Sequence, residues 1–259
     1  MDALQSTDAM GAMSGRPAPF AALHALAGHS EPSVQRLPFT VRVVRQEQQL
    51  RKAVAIRQRA YGRHLPALGE LLREPEAQDR DPACVVLLAE SRLDGEPLGT
   101  LRIQTNSHRP LALESSVELP DWLAGARLAE ATRLGIAEGR IGRVVKTMLF
   151  KALYQYCLAA EIDWMVIGAR SPLDRMYEAL LFQDVFPGQG AIPLKHAGNL
   201  PHRVLAFEIE TAEARWRAAR HPLLDLFVHT SHPDIERSGR LPGLGLPAWQ
   251  LPARAALAA

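Results

Sequence analysis

One acidic residue in the middle of the chain has surroundings that could alter its chemistry. Glu130 lies in a run rich in Leu, Ala and Ile, which is typical of a buried strand. Burial disfavours the charged form of a carboxyl group, so we expect the pKa of Glu130 to lie above its usual value. A carboxyl group in that state could accept a proton near neutral pH. The alternative is a structural carboxylate paired with Arg133 or Arg102.

Basic residues gather where a long helix is expected to begin. Arg140, Arg143 and Lys146 surround a loop that contains Gly139 and Gly142. Free backbone N–H groups and the helix dipole attract anions at a helix N-terminus, and nearby cations strengthen this attraction. The arrangement indicates phosphate binding. A solvated helix end, which would show the same charges, is the alternative.

The spacing of Glu130 and Arg133 raises a geometric question. Residues three apart in a regular strand point to opposite faces of the sheet. Both side chains can reach one cleft only if an extra residue is inserted between them. We therefore predict a β-bulge near Ala131–Thr132, which would also splay the strand and open a slot beside it.

Two further arginines could bind a carboxylate. Arg57 and Tyr61 are four residues apart and so share one face of a predicted helix, whereas Arg102 lies in a predicted strand. A guanidinium group binds a carboxylate through two parallel hydrogen bonds. The alternative, favoured for Arg57, is a structural ion pair with Asp79, Asp81 or Glu130. Packing is the favoured role of Tyr61.

The elements that must position these side chains follow from the periodicity of apolar residues. Strands are predicted at residues 39–45, 84–90, 98–105, 127–136, 164–169 and 202–209, and helices at 46–61, 173–182 and 213–220, with a long helix after Gly142. The Asp94-Gly95 pair predicts a hairpin turn between the second and third strands. A hairpin followed by strand–helix–strand units predicts an α/β (α+β mixed) fold with a central mixed sheet and helices on both faces.

Length and composition favour one domain. The 259 residues are 47% hydrophobic and 22% charged, which is ordinary for a globular protein. We predict a disordered arm at residues 1–37, a folded domain at 38–235 and a flexible tail at 236–259. The sequence contains no long apolar run and no recognisable leader, so a cytoplasmic location is expected.

The net charge, the cysteines and the histidines indicate which classes of binding partner to expect. The formal net charge of +2 gives no reason to expect a nucleic-acid partner. Residues 127–151 hold six Lys or Arg against two Glu. This local surplus suggests an acidic partner for that segment, and a solvated helix face with the same charges is the alternative. Cys84 and Cys157 lie in apolar runs and are expected to be buried thiols. His229 and His232 lack a third ligand nearby, so no metal site is predicted.

Five short motifs occur in order on the predicted elements. They are Arg57-x-x-x-Tyr61, Asp79-Arg80-Asp81, Arg102 within GTLRI, Glu130-x-x-Arg133, and His232-Pro233-Asp234-Ile235. The order of the predicted strands and helices resembles that of the GNAT acyltransferase fold. The five motifs carry a closer likeness, to the acyl-homoserine-lactone (autoinducer) synthases and, within that group, to the long-chain N-acyl amino acid synthases.

This resemblance implies a GNAT-like acyl-CoA N-acyltransferase fold and transfer of a long fatty acyl chain from acyl carrier protein to the amine of an amino acid. No permanently bound cofactor is implied, because acyl-phosphopantetheine is the donor substrate. The residues assigned in this way are Glu130 and Arg133 for catalysis; Arg57, Tyr61, Arg102, Asp79 and Asp81 for the acceptor; and Arg140, Gly142, Arg143 and Lys146 for the donor phosphopantetheine.

Two departures from the family patterns affect the choice of substrates. Residues 139–144 do not fit the glycine spacing of the GNAT phosphate loop, which favours a carrier protein over coenzyme A. The acidic loop has fewer acids than that of the autoinducer synthases, which favours an amino acid over S-adenosylmethionine. The alternatives are an acyl-homoserine-lactone synthase, a coenzyme A-dependent N-acyltransferase and, in another class, a non-catalytic protein that binds acyl carriers. Any proximity to a membrane would come from the lipid product.

Overall fold

The computed structural model of the protein describes residues 33–236. The predicted arm and tail lie outside these residues, apart from 33–37 and 236. The strands of the described part are β1 (Ser33–Val34), β2 (Phe39–Val43), β3 (Cys84–Ser91), β4 (Pro97–Thr105), β5 (Leu128–Ile136), β6 (Trp164–Ala169), β7 (Gln183–Asp184), β8 (Ile192–Leu194), β9 (Leu200–Glu208) and β10 (Thr230–Ser231). The helices are α1 (Glu47–Gly62), α2 (Pro66–Leu71), α3 (Gly139–Ala159), α4 (Leu173–Ala179) and α5 (Ala212–Ala218).

The main sheet is mixed, as predicted. Its strand order is β2-β3-β4-β5-β6-β9-β7, and β8 pairs with β9. The pair formed by β5 and β6 is parallel, and α3 makes the connection between these strands. The other pairs in this sheet are antiparallel. All six strands predicted from the sequence are present, with ends that differ by two residues at most.

Helices cover both faces of the sheet because its buried strands are apolar on both faces. On β3, Val86 and Leu88 pack with apolar residues of α1. Val85 and Leu87 belong to the larger cluster that includes α3, with Cys157 completely buried in it. Successive residues of a strand point to opposite faces, so one strand supplies both cores. The predicted fold class is confirmed.

The predicted bulge is present in β5, but about two residues later than expected. Thr132 pairs with Arg102, whereas Gly135 pairs with Thr100. Over this interval β5 therefore has one residue more than β4. Arg133 lies in the bulge with a φ of 55°, a left-handed conformation that residues other than glycine rarely adopt. The bulge turns Arg133 towards the α1 face of the sheet, where the polar residues of the site lie.

The loop predicted before the long helix is shorter than expected. Helix α3 already begins at Gly139 and contains Gly142. A Cβ atom on Gly142 would lie 1.9 Å from the carbonyl oxygen of Ala137. Gly142 therefore lets the first turn of α3 pack directly on the end of β5.

A buried lysine fastens the C-terminal part of the described chain to α3. Lys151 has no exposed surface, and its ammonium group donates to the Leu226 carbonyl at 2.6 Å. The same group lies 2.9 Å from Nδ1 of His232. These contacts hold residues 226–232 against α3, so His232 has a packing role here. None of the described helices is both long and apolar enough to cross a membrane.

Candidate active site

A buried ionic cluster lies on the α1 face of the sheet. Arg57 of α1 binds Asp79 through two hydrogen bonds of 2.8 and 2.9 Å. Arg102 of β4 donates to Glu76 at 3.0 Å and to Asp79 at 3.2 Å. Arg133 binds both carboxylate oxygens of Glu76 at 2.6 Å. We call these five residues the arginine cluster. It contains three cations and two anions, so it has one positive charge in excess.

The two acids of the cluster are held in their charged form. Burial, the largest single effect, raises the pKa of Glu76, but the hydrogen bond from Arg133 and the charges of the three arginines together place the pKa below its usual value. For Asp79, burial is outweighed by the hydrogen bond and charge of Arg57 together with the charge of Arg102 and the backbone N–H of Glu76. Arg57 forms the structural ion pair that was the favoured prediction for it. Its side chain has no exposed surface, and its guanidinium group is bound by the Asp79 carboxylate.

Tyr61 and Asp81 occupy different positions relative to the cluster. Tyr61 is half-buried beside Arg133 and Arg57, and its burial raises the pKa of the phenol. Asp81 lies apart, because it follows the turn Ala77–Arg80 and binds Arg109 at 3.0 Å. Asp79 and Asp81 therefore do not act as one acidic group.

Glu130 lies beside the arginine cluster but makes no ion pair with its arginines. Its side chain is fully buried, and the backbone N–H of Leu113 donates to Oε2 at 3.2 Å. Burial raises the pKa of Glu130 to about 7, although the backbone N–H groups of Leu113 and Ala112 oppose this shift. The desolvation expected from the sequence is thus present. The alternative pairing with Arg133 or Arg102 does not occur within residues 33–236.

His196 is a member of the site that the sequence interpretation missed, as is Glu76. Nε2 of His196 lies 3.3 Å from Oε1 of Glu130, and the His196 carbonyl accepts a 3.0 Å hydrogen bond from Arg133. Glu76 belongs to the charged connection that contains Asp79, so its position carried some signal. His196 follows β8 in a segment without periodicity, and nothing in the sequence links it to Glu130.

The two strands next to the site separate at their ends. Strand β5 pairs with β6 from Leu128 to Ala131, where Ala131 is opposite Ile167. Beyond this point β5 stays paired with β4 up to Ile136. The edge of β5 that faces β6 is therefore unpaired with that strand from Thr132 onwards. This is the slot that the bulge was expected to open.

The start of α3 forms one wall of a cationic cleft of about 260 Å³. Its lining residues are Ala60, Arg63, Leu134, Ile136, Ala137, Gly139, Gly142, Arg143, Lys146 and Leu173. Within residues 33–236, Arg143 and Lys146 have no carboxylate partner. Three of the four residues predicted for the phosphate thus lie together. Arg140 is exposed on the same helix turn and does not line the cleft.

An apolar cavity of about 250 Å³ adjoins the cationic cleft. Its walls come from β4, β5, α3, α4 and the segment that follows α5, and include Leu149, Leu153, Met176, Leu223 and Phe227. Leu134 and Lys146 line both the cleft and the cavity. Leu134 directly follows Arg133, so the bulge of β5 separates the cavity on one face of the sheet from the arginine cluster on the other.

Neither cysteine has the surroundings of a nucleophile. Burial raises the pKa of Cys84 to about 11, and burial also raises the pKa of Cys157. A thiol that stays protonated at neutral pH is a poor nucleophile. The described residues contain no cluster of three His, Cys, Asp or Glu side chains that could hold a metal ion.

Comparison with known proteins gives a family and a fold. The family model described as N-acyl amino acid synthase FeeM matches residues 52–193, which is more than half of the chain. The structure of FeeM, an N-acyl amino acid synthase from uncultured soil microbes, is 19% identical, with a TM-score of 0.52, and the match covers 70% of this chain and 96% of FeeM.

Two acyl-homoserine-lactone synthases are also similar in structure. BjaI, a coenzyme A-dependent enzyme solved with SAM and isopentyl-CoA, is 16% identical over 75% of this chain and 93% of BjaI, with a TM-score of 0.49. LasI is 15% identical over 67% of this chain and 93% of LasI, with a TM-score of 0.47. No curated protein matches the sequence. The chain belongs to the FeeM family of N-acyl amino acid synthases, and it is an acyltransferase with a GNAT-like fold.

Proposed function

We propose that the protein transfers a long fatty acyl chain from acyl carrier protein to the amine of an amino acid. The observation that carries this proposal is the contact between the cationic cleft and the apolar cavity at Leu134 and Lys146. An acyl-phosphopantetheine has a phosphate, a flexible arm and an apolar chain. The cleft suits its phosphate, and the cavity suits its acyl chain.

The arginine cluster supports an amino acid as the acceptor. Its single excess positive charge lies in a largely buried setting, where an unbalanced charge is costly. The carboxylate of an amino acid would balance it. In this proposal Arg133 and Arg102 attract the acceptor carboxylate, while Arg57 and Asp79 hold these groups in position.

Glu130 is the proposed general base. An amino acid has a charged ammonium group at neutral pH, and this group must lose a proton before its nitrogen can attack a thioester. A carboxyl group with a pKa of about 7 is a suitable acceptor for that proton. The attack expels the pantetheine thiol and forms the amide, and no covalent intermediate on the enzyme is needed.

A carrier protein is the proposed donor because of the charges outside the cleft. Arg140 and Arg143 are exposed at the entrance side of α3, where the acidic surface of a carrier protein could dock. The departure of residues 139–144 from the GNAT glycine spacing favours the same donor. Such a donor is a cytoplasmic protein, so the proposed location is the cytoplasm.

Mass spectrometry of lipid extracts from bacteria that express the full chain tests this proposal. Cells with the wild-type protein are expected to accumulate fatty acyl amides of one or a few amino acids. Cells with Glu130→Gln at equal protein level are expected to contain about a hundredth of that amount. Equal amide levels with both proteins would contradict the role of Glu130, and extracts without any new amide would contradict the function itself.

A further inference from the structure

The contact between His196 and Glu130 is incomplete as a hydrogen bond. Nε2 and Oε1 are 3.3 Å apart, yet Oε1 remains a buried oxygen without a hydrogen-bond partner within the described residues. Nδ1 of His196 is also buried and unpaired there. Buried polar atoms are nearly always paired in folded proteins, because an unpaired one has lost its hydrogen bonds to water without replacement. The unpaired Oε1 faces Nε2 of His196, which makes no hydrogen bond within the described residues, so this contact is a place for a polar ligand.

The two facing atoms suit one particular ligand group. An ionised carboxylate oxygen accepts hydrogen bonds, and so does Nε2 when the imidazole proton is on Nδ1. A nitrogen that bears several hydrogens can donate to both atoms at once, since they are only 3.3 Å apart. The amine of the acceptor is such a group, whereas its carboxylate is not.

We propose that His196 is a second catalytic residue, which accepts through Nε2 a proton from the same amine that Glu130 deprotonates. This assignment rests on the proposed function. It concerns a residue outside the segment matched by the FeeM family model, which ends at residue 193.

The proton balance of the reaction supports two acceptors. An ammonium group has three hydrogens, and the amide nitrogen keeps one. The first proton goes to Glu130, after which the nitrogen attacks the thioester carbonyl and forms the C–N bond. The second proton goes to Nε2 of His196 as the C–S bond breaks, and the imidazolium returns it to the departing thiolate. The products are the amide, the thiol and one proton, which Glu130 releases to solvent.

The surroundings of His196 keep its imidazole neutral. Burial lowers the pKa of His196 to about 4, and the charge of Arg133 adds to this shift. The nearest titratable neighbour is Glu130 at 3.3 Å. His202 on β9 and Arg102 on β4 also lower the pKa of His196, and Glu76 of the arginine cluster acts in the opposite direction. A neutral imidazole is an acceptor throughout the neutral pH range.

His196 is also held firmly in place. Arg133 binds its carbonyl oxygen at 3.0 Å, and the backbone N–H of the adjacent Lys195 donates to Ser116 at 2.8 Å. The imidazole keeps 15% of its surface exposed, whereas Glu130 keeps none. Of this pair, only the imidazole is open to an amine that approaches from outside.

Steady-state kinetics of the full-length protein test this assignment. The donor is lauroyl-loaded acyl carrier protein, and the acceptor is the proteinogenic amino acid that gives the highest rate in a panel of twenty. His196→Gln keeps a hydrogen-bond acceptor but cannot take up a proton. We expect kcat to fall by about 100-fold and the KM for the amino acid to stay within about two-fold of the wild-type value. His229→Gln, at an exposed histidine outside the site, is the control and should keep the wild-type kcat.

Two readouts separate proton transfer from a structural role. The wild-type rate in mixtures of H₂O and D₂O should depend on the deuterium fraction along a curve, because two protons move, and the rate of His196→Gln should depend on it linearly. Added imidazole should restore part of the kcat of His196→Ala, a test that remains if the Gln variant does not fold. Wild-type kcat in His196→Gln, or a curved dependence retained in it, would overturn the assignment and leave the proposed function standing. Absence of wild-type product with every amino acid would overturn both.

Discussion

At the scale of single residues, Glu130 is placed where its charge is costly. It is fully buried, and its hydrogen bond from Leu113 does not offset the loss of water. In the neighbouring arginine cluster the charged form of the acids is favoured instead, because Glu76 and Asp79 are paired with arginines and stay ionised. Acids with such different environments suit different roles. The paired ones can hold the structure, and the unpaired one can exchange a proton, as the proposed function requires.

The raised pKa of Glu130 predicts that Glu130→Gln stabilises the fold at alkaline pH. The folded protein keeps the Glu130 proton up to about pH 7, whereas the unfolded chain loses it near pH 4.5. The folded state therefore binds more protons between these values, and wild-type stability falls as pH rises through this window. The free energy of unfolding of Glu130→Gln, measured in urea, should exceed that of the wild type by on the order of 3 kcal/mol at pH 8.

The control for this measurement is Glu74→Gln, at an exposed position, which should match the wild type at both pH values. The advantage of Glu130→Gln should vanish near pH 4.5. If Glu130→Gln were less stable than the wild type at pH 8, the carboxylate would be a stabilising group, and its assignment as the base would lose its physical reason.

At the scale of elements, the position of the cationic cleft beside the apolar cavity depends on how β5 ends and α3 begins. The bulge at Arg133 turns one side chain to the arginine cluster and the next, Leu134, to the cavity. Directly afterwards, Gly142 allows α3 to start against the Ala137 carbonyl. The position of the cationic cleft relative to the cavity follows from these two features.

Gly142→Ala is therefore expected to disturb the donor site. The added methyl group would meet the Ala137 carbonyl at 1.9 Å, so the first turn of α3 must shift, at a cost of about 1–3 kcal/mol. We expect a lower thermal midpoint and an increased KM for the acyl carrier protein. Gly62→Ala is the matched control, since a Cβ there meets only Gly69 at 4.0 Å. A Gly142→Ala variant with wild-type KM and midpoint would show that this packing does not position the cleft.

The elements could be predicted from the sequence more fully than the site. Apolar periodicity is local, so the strands and the mixed sheet follow from it, and the burial of Glu130 follows from its apolar neighbours. The spacing of Glu130 and Arg133 requires a bulge, but its position depends on the hydrogen-bond register with β4. Glu76 and His196 lie in connections, and only the tertiary fold brings them to β5.

At the scale of the whole molecule, the two faces of the sheet have different chemistry. The apolar cavity lies on the α3 side, and the cationic cleft lies between the start of α3 and the end of α1. The arginine cluster and Glu130 lie on the α1 side, as the pairing of β4 with β5 requires. The gap between β5 and β6 lies where the two meet. In the proposed reaction the donor and the acceptor approach this gap from opposite faces.

If the carrier protein docks at the start of α3, reversing the charge of Arg143 should change the KM for the carrier protein in a salt-dependent way. Arg143→Glu should increase the KM for the acyl carrier protein by about ten-fold at low ionic strength and by less at 0.5 M salt, because salt screens exposed charges. Arg42→Glu, at an exposed residue on the edge strand β2, should leave the KM unchanged. Equal effects of the two variants would indicate a response to net charge and not to docking.

The central claim, that this fold forms an amide between a carrier-borne acyl group and an amino acid, is tested most directly with purified components. The wild-type protein is mixed with lauroyl-loaded acyl carrier protein or lauroyl-coenzyme A and an equimolar mixture of amino acids, and amides are quantified by mass spectrometry. We expect an N-lauroyl amino acid that forms faster from the carrier protein than from coenzyme A, and about 100-fold more slowly with Glu130→Gln. Release of free lauric acid without any amide, or an equal rate with Glu130→Gln, would contradict the proposed function.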